Sequence, residues 1–240
     1  MTKSLAIIEL PQLALAFIPV FAVLLIQFKW RLPQRKTFSA LARMLIQLLL
    51  VGFFLGYLFK SSSAPLVLVL LVIMVFFSSW IALGNIETPK RLLFQKAIFA
   101  IGLSGSFTLI IITQGVLQLS PWWHAQTLIP LAGMVFASSM NSVSLSGERF
   151  YCEIANKANY NQARNIAFQA SMIPNVNALL AVGIVSLPGM MTGQILSGVS
   201  PLIAARYQIM VMCMIFASAG ISSAYFLYLL KPITSTQIKL

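Results

Sequence analysis

Acid is scarce in this chain: four Asp and Glu stand against sixteen Lys and Arg, with a single histidine and two cysteines. Each shortage closes a route. A soluble globular chain carries about a quarter charged residues, so a charged fraction of 8% beside 59% hydrophobic residues and a mean hydropathy of +0.91 excludes a soluble globule. Cys152 and Cys213 lack Cys-x-x-Cys spacing, which implies neither a disulfide nor a zinc site. His124 follows Trp122 and Trp123 and reads as a membrane-interface residue, because a metal ligand needs partners that the sequence does not supply nearby. There is no Ser/His/Asp set, no carboxylate pair, no His-Glu-x-x-His and no Gly-x-x-x-x-Gly-Lys. The chain is therefore expected not to be an enzyme and to bind no cofactor of its own, so any energy for active work comes from outside.

What the chain has instead is long uncharged runs: Leu10 to Phe28, Met44 to Phe59, Ser61 to Ile86, Ala97 to Gly147, Asn165 to Ala205 and Tyr207 to Leu230. A membrane-crossing helix needs about 20 mostly apolar residues. The run from Ala97 to Gly147 is long enough for two around Leu119 to Thr127. The expected fold is an all-α polytopic membrane protein of seven spans: Leu5–Phe28, Phe38–Phe59, Pro65–Gly84, Leu93–Leu117, Leu128–Ser146, Pro174–Leu196 and Ala204–Leu230. The whole of 1–240 reads as one transmembrane domain in the lipid bilayer.

Cytoplasmic loops collect Lys and Arg. Lys29, Arg31, Arg35, Lys36, Arg43, Lys90, Arg91, Lys96, Arg149, Lys157, Arg164, Lys231 and Lys239 fall at alternate connections and the C-terminus, whereas Lys3, Lys60 and Arg206 fall opposite. This pattern predicts an outside N-terminus, a cytoplasmic C-terminus and residence in the cell (inner) membrane as a multi-pass protein. The formal net charge of +12 is spread along one membrane face rather than grouped in a soluble domain, which argues against nucleic-acid binding.

The one sizeable connection is the segment 147–173. Phe150, Ile154, Ala158 and then Ala163, Ala167, Ala170 recur near helical spacing, with Glu148, Arg149, Glu153, Lys157 and Arg164 on other faces. Two short amphipathic helices hinged near Asn159 to Asn161 are expected. They read either as a solvated or lipid-surface segment or, preferred, as a surface that docks a partner through Phe150, Tyr151 and the flanking charges.

Within the spans, polar residues point to the bundle interior or a wet passage. Gln47 lies deep in the second span, and Met134, Ser138, Asn141 and Leu145 form one stripe of the fifth. The sixth carries Ser186-Leu-Pro-Gly-Met-Met-Thr-Gly-Gln-Ile-Leu-Ser-Gly198, where Pro188, Gly189 and Gly193 interrupt an uncharged run. In hydrocarbon a broken helix is tolerated only where protein or water re-satisfies the freed backbone groups. The expected substrate path is Gln47, Met134, Ser138, Asn141, Pro188, Gly189, Met190, Met191, Thr192 and Gln194. Gly52 with Gly56, and Gly189 with Gly193, have the spacing that lets helix backbones approach closely. No repeat of inverted broken spans accompanies Pro188, which counts against the common secondary-carrier design.

The strings Arg43-Met-Leu-Ile-Gln-Leu-Leu-Leu-Val-Gly-Phe-Phe-Leu-Gly-Tyr-Leu-Phe59, Ile129-Pro-Leu-Ala-Gly-Met134 with Asn141, and Val182-Gly-Ile-Val-Ser-Leu-Pro-Gly-Met-Met-Thr-Gly-Gln194 through Pro201 and Arg206-Tyr-Gln208 resemble the FetB-type permeases of ABC transporters. The likeness covers nearly the whole chain. It implies a permease subunit that exports iron or another metal or metal complex, that pairs with a separate ATP-binding subunit which consumes the ATP, and that acts as a permease homodimer. It also implies that the segment holding Glu148, Arg149, Phe150, Glu153, Lys157 and Arg164 couples to a cleft of that ATPase. The residues themselves assign no metal ligands: the path offers carboxamides, hydroxyls and thioethers, where iron prefers carboxylate or imidazole. The competing reading is an ATP-independent secondary carrier or channel for a small polar solute, and a purely structural membrane subunit ranks last.

Overall fold

The computed structural model describes residues 9–60, 63–86 and 90–237. The expected start of the first span at Leu5 lies outside them, as do Lys3 and Lys239. Regular structure among the described residues is helical, apart from one isolated bridge between Val182 and Ser186. The chain divides at Lys60 into two units.

The first unit holds α1 (Leu10–Leu15), α2 (Ile18–Lys29) and α3 (Gln34–Lys60). The expected first span is thus split. Pro19 sits in the opening turn of α2 and has no N–H to give to the preceding turn, so the helix restarts at Ala16–Phe17. At the other end of α2 the N–H of Leu32 donates to Gln27 O (2.9 Å) and that of Arg31 to Phe28 O (3.0 Å). Arg31 stands at φ +55° to allow this Schellman closure. No residue of α2 is buried, and Phe21, Leu25, Leu49 and Phe53 are exposed.

The second unit starts with α4 (Ala64–Ala82) and a 3-10 turn at Leu83–Asn85. Then come α5 (Lys90–Ile110), which widens into an i→i+5 turn over Ile111–Val116, and α6 (Ala125–Ala155). It ends with α7 (Tyr160–Ala181), the short α8 (Gly189–Leu196) and α9 (Pro201–Gln237). Helices α6 and α9 form its centre. Leu131, Val135, Val143 and Phe150 of α6 and Val211, Met214, Phe226 and Leu227 of α9 are buried. Close approach of α5 to α6 depends on Gly105: a Cβ there would fall 2.5 Å from Phe136 Cε1. The pairs flagged by spacing behave otherwise, since nothing lies within 4 Å of a Cβ built at Gly52, Gly56, Gly189 or Gly193. Spacing alone does not say which face of a helix meets a neighbour.

Six helical stretches among the described residues are long and apolar enough to cross a bilayer: Pro11–Lys29, Gln34–Phe54, Ala64–Ala82, Leu92–Val116, Ala125–Ala155 and Pro201–Lys231. The expected sixth span, Pro174–Leu196, is not a single helix. It consists of the end of α7, a tight turn over 182–188 and α8. The two short helices expected within 147–173 are likewise absent as separate elements; they are the ends of α6 and α7, joined at 156–159. Nothing breaks the helical register between Gly147 and Ala155. The reversal comes where Lys157 adopts φ +64° and the N–H groups of Lys157 and Ala158 donate to Ile154 O and Glu153 O. The new helix then starts on Asn159, whose Oδ1 accepts from the Gln162 N–H at 2.9 Å.

Candidate functional site

Hydroxyl groups on the helices of the second unit sort into two kinds. Ser78, Ser79, Ser104, Thr108 and Thr113 donate to the carbonyl four residues back in their own helix. Such bonds satisfy the hydroxyl locally and tie nothing together. The second kind crosses between helices. Ser138 Oγ of α6 donates to Ile215 O of α9 (3.2 Å) and to Asn175 Oδ1 of α7 (3.4 Å). Ser139 Oγ donates to Ser218 O (3.3 Å), and Asn175 Nδ2 donates to Ser142 Oγ (3.2 Å). This is a polar seam where α6, α7 and α9 meet, and interhelical bonds of this type are worth about 0.6 kcal/mol on average in a membrane.

Of the residues that the sequence nominates, Ser138 belongs to this seam and Met134 is half-buried on the same helix. Asn141 does not join them. It is exposed and lines an open groove of about 440 Å³ with Ser144, Leu145 and Glu148. Gln47 lies exposed on α3 in the first unit. The residue that sequence reasoning missed is Asn175, immediately after Pro174, where its side chain bonds two serines of α6 and its Nδ2 also reaches Ser171 O at 3.3 Å. The local sequence marks it only as a carboxamide beside a proline in an uncharged run, which does not name its partners.

The break after α7 satisfies itself. Ala181 O accepts from the N–H groups of Val185 (2.8 Å), Ser186 (3.1 Å) and Ile184 (3.3 Å), and the Gly183 N–H donates to Ser186 O at 2.9 Å. Gly183 stands at φ +82°, a conformation that side chains resist. Ile184 and Val185 at its tip are 89% and 82% exposed, which leaves an apolar knuckle outside the bundle. Pro188 is the N-cap of α8 and Gly189 its first residue, so the two begin a helix rather than break one. Met190, Met191, Thr192 and Gln194 are half-buried on α8, and Thr192 Oγ1 donates to Pro188 O (3.1 Å). Helix α8 packs on α9 and closes at Ser197, with Gly198 at φ +91°.

At the α6–α7 corner, Arg149 and Glu153 pair at 2.7 Å one turn apart, and Glu148, Lys157 and Arg164 are exposed. Arg164 reaches over the Tyr160 ring (5.8 Å to its centroid) and donates to Asn165 Oδ1 at 2.9 Å. Phe150, expected to offer itself to a partner, is instead buried to 1% exposure and meets the Tyr151 and Tyr160 rings edge-on. It holds the corner rigid from inside. The Tyr160 hydroxyl donates to Leu227 O of α9 at 3.0 Å, and burial pushes its pKa up against the lowering influence of Arg164. On α5, Lys96 Nζ donates to Leu229 O, which ties a third helix to this end of α9.

A separate cavity of about 700 Å³ lies between α4, α5 and α6, with Val75, Phe76, Leu109, Trp122 and Phe136 among its walls. Its lining is mostly apolar, with Ser106 of α5 and Thr113 and Gln114 of the widened turn as its polar exceptions. Among the described residues no group of three His, Cys, Asp or Glu stands close enough to hold a metal ion.

Comparison with known proteins places these features in a lineage. The family described as uncharacterised protein family UPF0014 matches residues 10–164 and 156–233. The chain is 36% identical to the UPF0014 membrane protein slr1647 of Synechocystis, over 75% of this chain and 76% of that protein. It is 32% identical to the Probable iron export permease protein FetB of Escherichia coli, over 90% and 88% respectively. It is 24% identical to Protein ALUMINUM SENSITIVE 3 of Arabidopsis thaliana, over 80% and 75%. No solved structure matches.

Proposed function

The chain belongs to the UPF0014 family, and from that membership we propose that it is the membrane permease subunit of an ABC-type transporter that exports iron or another metal. A separate ATP-binding subunit supplies the energy, and two copies of the permease form the working unit. The observation that carries this reading is the α6–α7 corner. Two long helices run without interruption from the polar seam to a charged end, with Phe150 and Tyr160 packed inside it. A push delivered at Arg149, Glu153, Lys157 or Arg164 moves whole helices rather than a loop. That is what coupling to an external motor requires, because packed elements shift as rigid bodies.

In this arrangement the corner faces the cytoplasm, as its Arg and Lys favour. The end of α7, its turn and α8 together return the chain across the bilayer, so that Lys231 is again cytoplasmic. The path runs along the seam of Ser138, Ser142 and Asn175 and past α8. Tight metal ligands are not needed for passage, where binding has to be weak enough to release.

Co-purification tests the reading. Expressed with the ATPase encoded beside it, the chain is expected to retain that subunit through detergent extraction and to raise its ATP turnover in proteoliposomes. Failure to bind any such ATPase, together with ATP-independent flux from the chain alone, overturns it in favour of a stand-alone carrier.

A further inference from the structure

Between Glu9 and Glu87 the chain carries no acidic residue, yet Lys29, Arg31, Arg35 and Lys36 crowd around the turn that joins α2 to α3. All four are exposed, and among the described residues none of their side chains has an ion-pair or hydrogen-bond partner. Like charges this close repel one another. Arg35 and Lys36 also stand in the first turn of α3, the end at which the helix dipole disfavours positive side chains. Nothing in this segment balances them.

The turn also has a shape. Phe28, Lys29, Arg31, Leu32 and Gln34 line an open groove of about 570 Å³, within the range of about 300–1,000 Å³ usual for small-molecule sites. Its walls are of two kinds, the cations of Lys29 and Arg31 beside the apolar side chains of Phe28 and Leu32. Gln34 ties the start of α3 back to α2, since its Nε2 donates to Leu24 O (3.4 Å). The depth of the groove in the bilayer follows from the spans. One candidate span ends at Lys29 and the next starts at Gln34, so only Trp30 to Pro33 separate them. Exposed Trp30 is of the residue type that settles at headgroup level. A helix end alone defines no site; an amphipathic groove held at the height of the lipid phosphates does.

We propose that this groove binds the headgroup of one anionic phospholipid of the cytoplasmic leaflet, with Lys29 and Arg31 meeting its phosphate oxygens and Phe28 and Leu32 against the upper part of its acyl chains. Basic clusters beside the cytoplasmic end of a span attract such lipids, and the guanidinium fork matches a phosphate. Arg35 and Lys36 add attraction from the adjoining turn of α3. A free phosphate ion would satisfy the cations but leave the apolar walls unused, and an acidic protein segment would have to reach down to membrane level. The site goes beyond the permease reading and does not depend on it.

The experiment titrates the full chain, in uncharged detergent at physiological ionic strength, with dioctanoyl phosphatidylglycerol. Separate titrations use dioctanoyl phosphatidylcholine, inorganic phosphate and a polyglutamate peptide, and the readouts are thermal unfolding and the lipid retained in native mass spectrometry. Wild type is expected to melt higher with phosphatidylglycerol alone, since a ligand that binds only the folded state stabilises it. Lys29→Gln and Arg31→Gln should each need about fivefold more of that lipid, and the double variant about twentyfold more, from the share of each cation near an anionic surface. Arg43→Gln removes the same charge from α3 about 13 Å along the axis from Gln34, beyond a Debye length of about 8 Å, and should respond as wild type does. Lys29, Arg31 and Arg43 are all exposed, and unfolding without lipid verifies that each variant folds. Four results overturn the proposal: a full response in the double variant, an equal weakening by Arg43→Gln, an equal rise in melting with phosphatidylcholine or inorganic phosphate, or polyglutamate binding in place of phosphatidylglycerol.

Discussion

Asn175 Nδ2 donates to Ser142 Oγ at 3.2 Å, fastening α7 to α6 one residue beyond Pro174. The same carboxamide accepts from Ser138 Oγ, so one side chain spans a turn of α6. No other described side chain in the second unit joins two hydroxyls of a neighbouring helix. Replacing it tests whether the seam is a path or only a seam.

Asn175→Leu should lower stability by about 0.6 to 1.7 kcal/mol, from the average to the maximum found for interhelical hydrogen bonds in a membrane protein. If cargo passes here, transport falls much further than that loss of folded protein accounts for. Unfolding in mild detergent beside flux in proteoliposomes separates the two. Flux that follows the folded fraction alone assigns Asn175 to packing.

Gly105→Ala should destabilise by about 1–3 kcal/mol, the range for overpacked cores. The added methyl meets the Phe136 ring at 2.5 and 2.9 Å and Val135 Cγ1 at 3.2 Å, none of which is the free end of a flexible chain. Gly133→Ala is the control, since its Cβ meets only Met74 Cε at 3.7 Å. A thermal shift of equal size in the two refutes the close approach of α5 to α6.

Lys157→Gly should stabilise the α6–α7 corner by up to about 1–2 kcal/mol, the cost of holding a non-glycine residue in the left-handed region. Chemical denaturation of the purified chain checks the sign. A loss of stability would mean that the Lys157 side chain contributes more than its backbone conformation costs.

Glu153→Gln keeps the size of a side chain that is 13% exposed and removes the charge of its 2.7 Å pair with Arg149, whose side chain is 46% exposed. Such pairs contribute little to folding, typically below about 1 kcal/mol. The melting temperature should therefore hardly move, whereas, on the permease reading proposed above, stimulation of a co-expressed ATPase should fall sharply. Unchanged stimulation removes the corner from the coupling surface.

Stability should decline at alkaline pH through Tyr160. Burial raises its pKa above the ordinary value, so the folded state keeps the phenol proton that the unfolded state releases. The contribution is complete below about pH 10, the unfolded value, and is lost as pH rises through the folded one. Tyr160→Phe should flatten that decline and lower stability at neutral pH by about 1 kcal/mol, through loss of the bond to Leu227 O. Unfolding curves between neutral and strongly alkaline pH read both effects. Parallel curves for the two proteins contradict the assignment.

The membrane class and most helical runs were legible because hydrophobic length is a property of the sequence itself. The amphipathic pattern after Gly147 was legible as well: Phe150, Ala163 and Ala167 are buried, and Glu148 and Arg164 are exposed. Its continuity with α6 and α7 was not, because the signal that ends α6 is a left-handed lysine where glycine is the usual mark. Asn175 escaped notice because its importance lies in Ser138 and Ser142, more than thirty positions away, and pairing at that distance is written in packing rather than in local pattern. Proline and glycine at 188 and 189 announced an irregularity correctly but misplaced it by several residues. The turn itself rests on Gly183 and on a single carbonyl, Ala181 O, shared among three donors.

At eight residues, α8 is about 12 Å long by the rise of an α-helix, well under half of a hydrocarbon core near 30 Å. Voltage falls mainly across the dry part of a route, and about 2.3 kcal/mol accompanies each unit charge per 100 mV. If water reaches both ends of α8, nearly all of that electrical work is concentrated in two helical turns. A cation pumped past this helix would then do its climbing there, and its rate would respond to membrane potential as steeply as if the whole barrier were two turns thick.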